Sequence, residues 1–127
     1  MQTELLERNP KANIRVYAVW FSMYEGDSRA RWRRELMPDR RVEHFWDEER
    51  VLGSRYFGDL GRLAALQAPG TKATEGRILW DAYLLYPAGA KWETDRTSVI
   101  SWGRTVLMTR ESLQREFLKL AGLAPRR

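Results

Sequence analysis

Two apolar runs constrain the fold of this chain more than any other feature. Residues 14–21 show no clean alternation of apolar and polar side chains, and residues 78–86 form the most hydrophobic segment of the chain. An apolar run without alternation is typical of an inner strand that is covered on both faces, as in a sheet flanked by helices. The chain between and after these runs has apolar residues at helical spacing, so the sequence predicts an α/β fold.

Turn residues and apolar spacing predict the order of the other elements. The predicted helices cover residues 3–8, 29–37, 48–65 and a final segment after Thr109, and the predicted strands cover residues 14–21, 42–46, 78–86 and 98–107. Right-handed crossovers make the first two strands parallel, and the last two form an antiparallel hairpin. We expect one domain over residues 1–127, with a four-stranded mixed sheet flanked by helices and a frayed tail at 124–127.

Acidic residues and apolar stripes support two of these helices. Asp27 or Ser28 is a candidate N-cap for the helix over 29–37, and Asp47 is one for the helix over 48–65. The apolar stripe predicted for the second of these helices comprises Leu52, Tyr56, Leu60 and Leu63. The inward face predicted for the last helix comprises Leu113, Phe117, Leu120 and Ala121.

Composition excludes several classes of chemistry. The chain has no cysteine, which excludes disulfides, thiolate metal sites, iron–sulfur clusters and cysteine nucleophiles within these residues. His44 is the only histidine, so a multi-histidine metal centre is excluded, and we expect neither a metal nor a cofactor. No segment approaches the ~20 apolar residues of a membrane span, and the N-terminus lacks the apolar region of a signal peptide. We therefore expect a cytoplasmic protein that does not enter a membrane, provided that Met1 is the true start.

The net charge of +5 raises the alternative of a polyanion-binding protein. Six arginines lie within thirteen residues: Arg29, Arg31, Arg33, Arg34, Arg40 and Arg41. No nucleic-acid-binding motif accompanies them, so we favour a solvated helix face over a nucleic-acid interface.

The order of elements resembles the thioredoxin-like superfamily, in particular its TlpA-like and peroxiredoxin branch. The segments RVEHFWDEERVLGSRYFGDL and ILWDAYLLYPAGAKW carry the resemblance, which extends over about residues 12–122. Two features of the family are missing: its redox cysteine motif, and the cis-proline before the first hairpin strand, where this chain has Glu75, Gly76 and Arg77.

The chain can be placed on this family in two ways. In one, residues 14–21 are the strand that normally leads to the redox motif, and residues 22–29 replace that motif. In the other, which we favour, residues 1–10 include the end of the redox-bearing helix, and a cysteine or selenocysteine motif lies upstream of Met1. The resemblance thus implies either a non-catalytic binding or scaffold module or the main part of a thiol or selenol oxidoreductase. Because a sheet without its redox-bearing strand leaves apolar surface, we expect a homodimer, and a protein partner is compatible with either function.

Candidate functional residues are few. Asp81 interrupts an apolar strand, so it must be exposed or must pair with an arginine or a backbone N–H; a satisfied structural carboxylate is favoured over a catalytic one. His44 is a candidate general base, but no serine or cysteine nucleophile accompanies it, and we favour a half-buried packing residue. A binding cleft at the carboxyl ends of the strands would be lined by Ser22, Tyr24, Asp27, Trp32 and Asp47. Glu25, Asp27, Asp47 and Asp81 could also form a magnesium or calcium site there, but we favour helix capping for Asp27 and Asp47.

Overall fold

The computed structural model describes residues 1–31, 34–67, 78–104 and 106–123, with residue 34 and residues 61–67 described by their backbone alone. The predicted loop at 67–76 lies almost wholly outside these residues, and the tail at 124–127 does so entirely. The chain divides into two compact units, Met1–Val51 and Leu52–Arg127. Helices and strands occur in both, so the α/β class is confirmed.

The first unit contains a parallel pair of strands. A π-helical turn at Gln2–Leu6 precedes β1 (Val16–Trp20), and a short 3-10 helix at Arg34–Leu36 precedes β2 (Val42–Trp46). The two strands run parallel, as predicted, with Ala18 opposite His44. The inward face of this sheet packs around Leu6, Ala18 and Val42, all of which are buried.

The predicted helix over 29–37 is wrong for the residues that the structure describes, because only Arg34–Leu36 are helical there. The carboxylate of Asp27 does not cap a helix. It turns back and accepts hydrogen bonds from the backbone N–H groups of Met23 and Tyr24, both at 2.9 Å. An aspartate that is used in this way closes the preceding turn and is no longer available to start a helix.

The second unit combines a helix, a hairpin and a final helix. These are α1 (Val51–Gln67), β3 (Ala82–Leu85), β4 (Ser101–Arg104) and α2 (Arg110–Leu120). As predicted, β3 and β4 are antiparallel, with Leu84 opposite Trp102. From α1 and the segment before β3, Tyr56, Leu60 and Leu79 form a buried cluster. The side chain of Leu63, the fourth member of the predicted stripe, lies outside the described part.

The last helix confirms two of its four predicted core residues. Leu113 and Phe117 are buried, but Leu120 is 40% exposed, and Leu118 is buried in its place. Ala121 is half-buried and ends the helix. The buried face of α2 therefore differs from the predicted face only at its C-terminal end, where Leu118 is buried and Leu120 is not.

Two residues with positive φ explain why two elements begin later than predicted. Arg50 has φ 57°, so the turn after Asp47 does not continue into α1, which begins at Val51 rather than at residue 48. Asp81 has φ 49°, and β3 therefore begins at Ala82 instead of residue 78. Left-handed backbone is incompatible with both helix and strand geometry.

The predicted single sheet of four strands is not observed among the described residues. They contain two sheets of two strands each, β1 with β2 and β3 with β4. β3 begins after Asp81 and has four residues, whereas the predicted strand over residues 78–86 has nine. Joining the two strand pairs into one sheet is a long-range assumption that local sequence signals do not specify.

Candidate functional site

The carboxyl ends of β1 and β2 carry most of the predicted cleft residues. The Asp47 N–H donates to the Trp20 carbonyl oxygen at 2.7 Å, which joins the chain just after β2 to the last residue of β1. Ser22 is half-buried, and Tyr24 is 68% exposed. Trp32 lies outside the described residues. The structure thus brings Tyr24 and Asp27 together in one turn and places Asp47 at the same end of the sheet.

The two carboxylates at this end are engaged by backbone N–H groups. Hydrogen bonds from Met23 and Tyr24 lower the pKa of Asp27 below its ordinary value. The carboxylate of Asp47 accepts from the Val51 N–H at 2.9 Å, at the first residue of α1. The predicted N-cap role of Asp47 is therefore wrong, because α1 begins four residues after it; the carboxylate instead accepts the N–H of the first helical residue from the preceding turn. Within the described residues, no group of three or more histidine, aspartate or glutamate side chains could hold a metal ion.

His44 is held through both ring nitrogens. The indole Nε1 of Trp20 donates to its Nδ1 at 3.0 Å, and its Nε2 lies 3.0 Å from the carbonyl oxygen of Met37. A general base needs a ring nitrogen with a free lone pair that faces the substrate. The Nδ1 lone pair accepts from Trp20, so this arrangement suits a structural histidine.

Asp81 is exposed and lies near a backbone N–H, two of the alternatives predicted for it, and it does not pair with any arginine that the structure describes. Its side chain is exposed, and its Oδ1 lies 3.4 Å from the N–H of Val106, which also donates to the Asp81 carbonyl oxygen at 3.1 Å. Beside it, the guanidinium of Arg104 stacks over the Trp80 ring at 5.5 Å from the centroid. These contacts pin the residue before β3 against the chain after β4, which is a structural role.

The arginine cluster separates into two kinds of residue. Arg29, Arg31 and Arg40 are exposed, whereas Arg33 and the side chain of Arg34 lie outside the described residues. Arg41 is different, because only 13% of its side chain is exposed. It is therefore withdrawn from any polyanion-binding surface, which weakens that alternative.

Arg41 forms a clamp that the sequence did not predict. Its guanidinium donates to three backbone carbonyls, those of Leu6 at 2.8 Å, Asn9 at 2.8 Å and Ala12 at 3.2 Å. It also donates to both carboxylate oxygens of Asp39, at 2.9 and 2.7 Å. The planar, multi-donor fork of arginine is suited to this set of acceptors. The Asp-x-Arg spacing at 39–41 could have indicated the ion pair with Asp39. This spacing is too common to predict that Arg41 also binds three backbone carbonyls.

The clamp predicts an acid-sensitive contribution to stability. Hydrogen bonds from the side chain and backbone of Arg41 lower the pKa of Asp39 from 3.8 to about 2. The contribution of the carboxylate is therefore complete above pH 3.8 and is lost as the pH falls to about 2. In urea denaturation, the difference in unfolding free energy between wild type and Asp39→Asn should be constant from pH 7 to 5 and should shrink below pH 3.8. An undiminished difference near pH 2 would contradict this assignment.

A second polar network lies in the other unit. The Tyr86 hydroxyl donates to the Arg96 carbonyl oxygen at 2.8 Å and lies 3.2 Å from the Tyr56 hydroxyl, while the Arg96 guanidinium pairs with Asp59. Burial raises the pKa of both tyrosines, so both phenols stay protonated. The network attaches the loop between β3 and β4 to α1 and presents no exposed reactive group.

Comparisons with known proteins provide no independent assignment. No protein-family model, no curated protein and no solved structure matches this chain. Within the described residues, no helix is long and apolar enough to cross a bilayer.

Proposed function

We propose that this chain is a thioredoxin-like domain that forms the main part of a thiol- or selenol-dependent oxidoreductase, with a redox motif on a segment before residue 1. One observation carries the proposal: the element before β1 is a helical turn with buried Leu5 and Leu6. In the thioredoxin-like family, the redox-bearing helix leads into the next parallel strand in this way. The Arg41 clamp on the carbonyls of this turn is what a helix end packed on a sheet requires.

The elements that follow support the same placement. They are a strand, a crossover, a parallel strand, a helix, an antiparallel hairpin and a final helix, which is the thioredoxin-like order. Within this proposal, the segment with Ser22, Tyr24 and Asp27 contributes to binding a protein disulfide or peroxide substrate. The chain itself contributes no sulfur nucleophile, because methionine thioethers are inert in thiol exchange.

The first test is enzymatic. Purified residues 1–127 should show no dithiol-dependent reduction of insulin, because the thiolate that attacks a disulfide is missing. The protein extended to the upstream in-frame start should reduce insulin or a peroxide, and serine at its cysteine or selenocysteine should abolish this activity. An upstream frame without a cysteine or selenocysteine codon would contradict the oxidoreductase and leave a non-catalytic binding module. Insulin reduction by residues 1–127 alone would contradict both the oxidoreductase with an upstream redox motif and the non-catalytic binding module.

A homodimer is part of this proposal. Among the described residues, β3 and β4 pair only with each other, and the turn after β4 exposes Leu107 and Met108 by 71% and 85%. A second copy that covers these side chains would remove apolar surface from water. Sedimentation velocity over the micromolar range should therefore show a species of twice 15.0 kDa.

Two variants make this measurement specific. Met108→Glu should shift the equilibrium to the monomer, whereas Leu36→Glu, at an exposed site in the other unit, should leave it unchanged. A single 15.0 kDa species at every concentration would contradict the dimer.

A further inference from the structure

His44 lies between one group that can only donate a hydrogen bond and one that can only accept. The indole N–H of Trp20 is a donor, and the Met37 carbonyl oxygen is an acceptor, each 3.0 Å from a ring nitrogen. One form of the imidazole satisfies both contacts. In it, Nδ1 carries a lone pair toward Trp20 and Nε2 carries the proton toward Met37, which is a neutral tautomer.

Adding a second proton to this ring removes one of its two hydrogen bonds. An imidazolium has N–H groups on both nitrogens, and the Nδ1–H would then face the indole N–H of Trp20, donor against donor. The bond to Met37 survives the change, because Nε2 remains a donor. Protonation therefore acts selectively on Trp20.

Trp20 is the last residue of β1, where the predicted cleft begins. Its carbonyl oxygen accepts the Asp47 N–H at 2.7 Å, and the segment with Ser22, Tyr24 and Asp27 follows it directly. We propose that His44 is a pH-sensitive latch: the neutral ring accepts the hydrogen bond of the Trp20 indole at the end of β1, and the imidazolium gives up this one bond at the base of this segment. The latch goes beyond the proposed oxidoreductase and does not depend on it.

The charged groups around the latch lie on several elements of the same unit. Glu43 precedes His44 in β2, so it lies on the opposite face of the strand, where it pairs with Arg15 at 3.0 Å. Asp39 and Arg41, before β2, pair with each other at 2.7 Å. On β1, the neighbours Ala18 and Trp20 are uncharged. Other charged residues with described side chains on or beside these elements are Glu4, Glu7, Arg8, Glu35, Arg40, Asp47 and Glu48. Carboxylates and guanidinium groups ordinarily change charge outside pH 5–8, where histidine ordinarily does so.

The test uses the indole N–H signals of the tryptophans in ¹H–¹⁵N spectra recorded from pH 8 to pH 5. Trp20 is assigned by Trp20→Phe. We expect its Nε1–H signal to move upfield in step with the His44 ring signals. After correction for the intrinsic pH dependence of exchange, its hydrogen exchange should accelerate by about tenfold, as expected for the loss of one hydrogen bond. Trp46, whose indole donates to Glu48, is the internal reference and should not follow His44.

His44→Asn is the matched variant, because an amide oxygen can accept from Trp20 but cannot titrate in this range. Its Trp20 signal should not change with pH. Three results would overturn the latch: a Trp20 signal that stays constant from pH 8 to pH 5 in wild type, the wild-type shift in His44→Asn, or a concerted shift of all six indole signals, which indicates a global transition. The internal reference in wild type keeps the test decisive if His44→Asn does not fold.

Discussion

Replacing Arg41 by alanine is expected to lower the free energy of unfolding by about 3–5 kcal/mol. The guanidinium and the Asp39 carboxylate are 13% and 15% exposed, so removing one leaves the other as a largely buried, uncompensated charge. The same change leaves the carbonyls of Leu6, Asn9 and Ala12 without their donor. Urea or thermal denaturation of the two proteins measures the difference.

The neighbouring arginine provides a matched control. Arg40 is exposed, and Arg40→Ala should change the unfolding free energy by less than about 0.5 kcal/mol. The loss of unfolding free energy for Arg41→Lys should lie between those for Arg40→Ala and Arg41→Ala. An ammonium group keeps the charge but lacks the planar guanidinium that reaches five acceptor atoms. Equal effects of Arg40→Ala and Arg41→Ala would contradict the clamp.

The local part of the fold could be predicted from the sequence. The strand at 42–46 was predicted with its observed bounds, and both strand pairs have the predicted directions. These elements follow from apolar runs bounded by turn residues, which are signals within a few positions. The late starts of α1 and β3 depend on the positive φ of Arg50 and Asp81. Arginine and aspartate do not predict left-handed backbone as glycine does. The late starts of the two elements could therefore not be predicted from residue type alone.

The candidate site shows the same division between local and long-range information. Local chemistry correctly indicated that Asp81 is exposed or bonded to a backbone N–H, but it placed Asp47 at the N-cap of a helix that begins only at Val51. The roles of Arg41 and His44 depend on partners 24 to 35 residues away in the chain, at Leu6 and Trp20. A hydrogen bond between distant residues leaves no periodic pattern in the sequence. Arg41 was therefore grouped with its exposed neighbours, although its geometry separates it from them.

Replacing Leu6 by alanine tests the packing of the N-terminal turn, and we expect a loss of about 2–5 kcal/mol in the free energy of unfolding. Leu6 is 0% exposed and packs with Ala18 of β1 and Val42 of β2. Truncation removes the transfer free energy of the side chain and leaves a cavity, because the surrounding strands are held by their own ladder. Chemical denaturation followed by tryptophan fluorescence measures the effect.

Leu36→Ala is the control, since Leu36 is 58% exposed in the same unit and should contribute less than about 0.5 kcal/mol. A loss of that small size for Leu6→Ala would mean that the turn does not pack on the sheet in solution. The proposed oxidoreductase would then lose its supporting observation, because only a packed helix end before β1 places this strand after a redox-bearing helix. A large loss for Leu6→Ala together with a large loss for Arg41→Ala would show that side-chain packing and the guanidinium clamp hold the same turn from two directions.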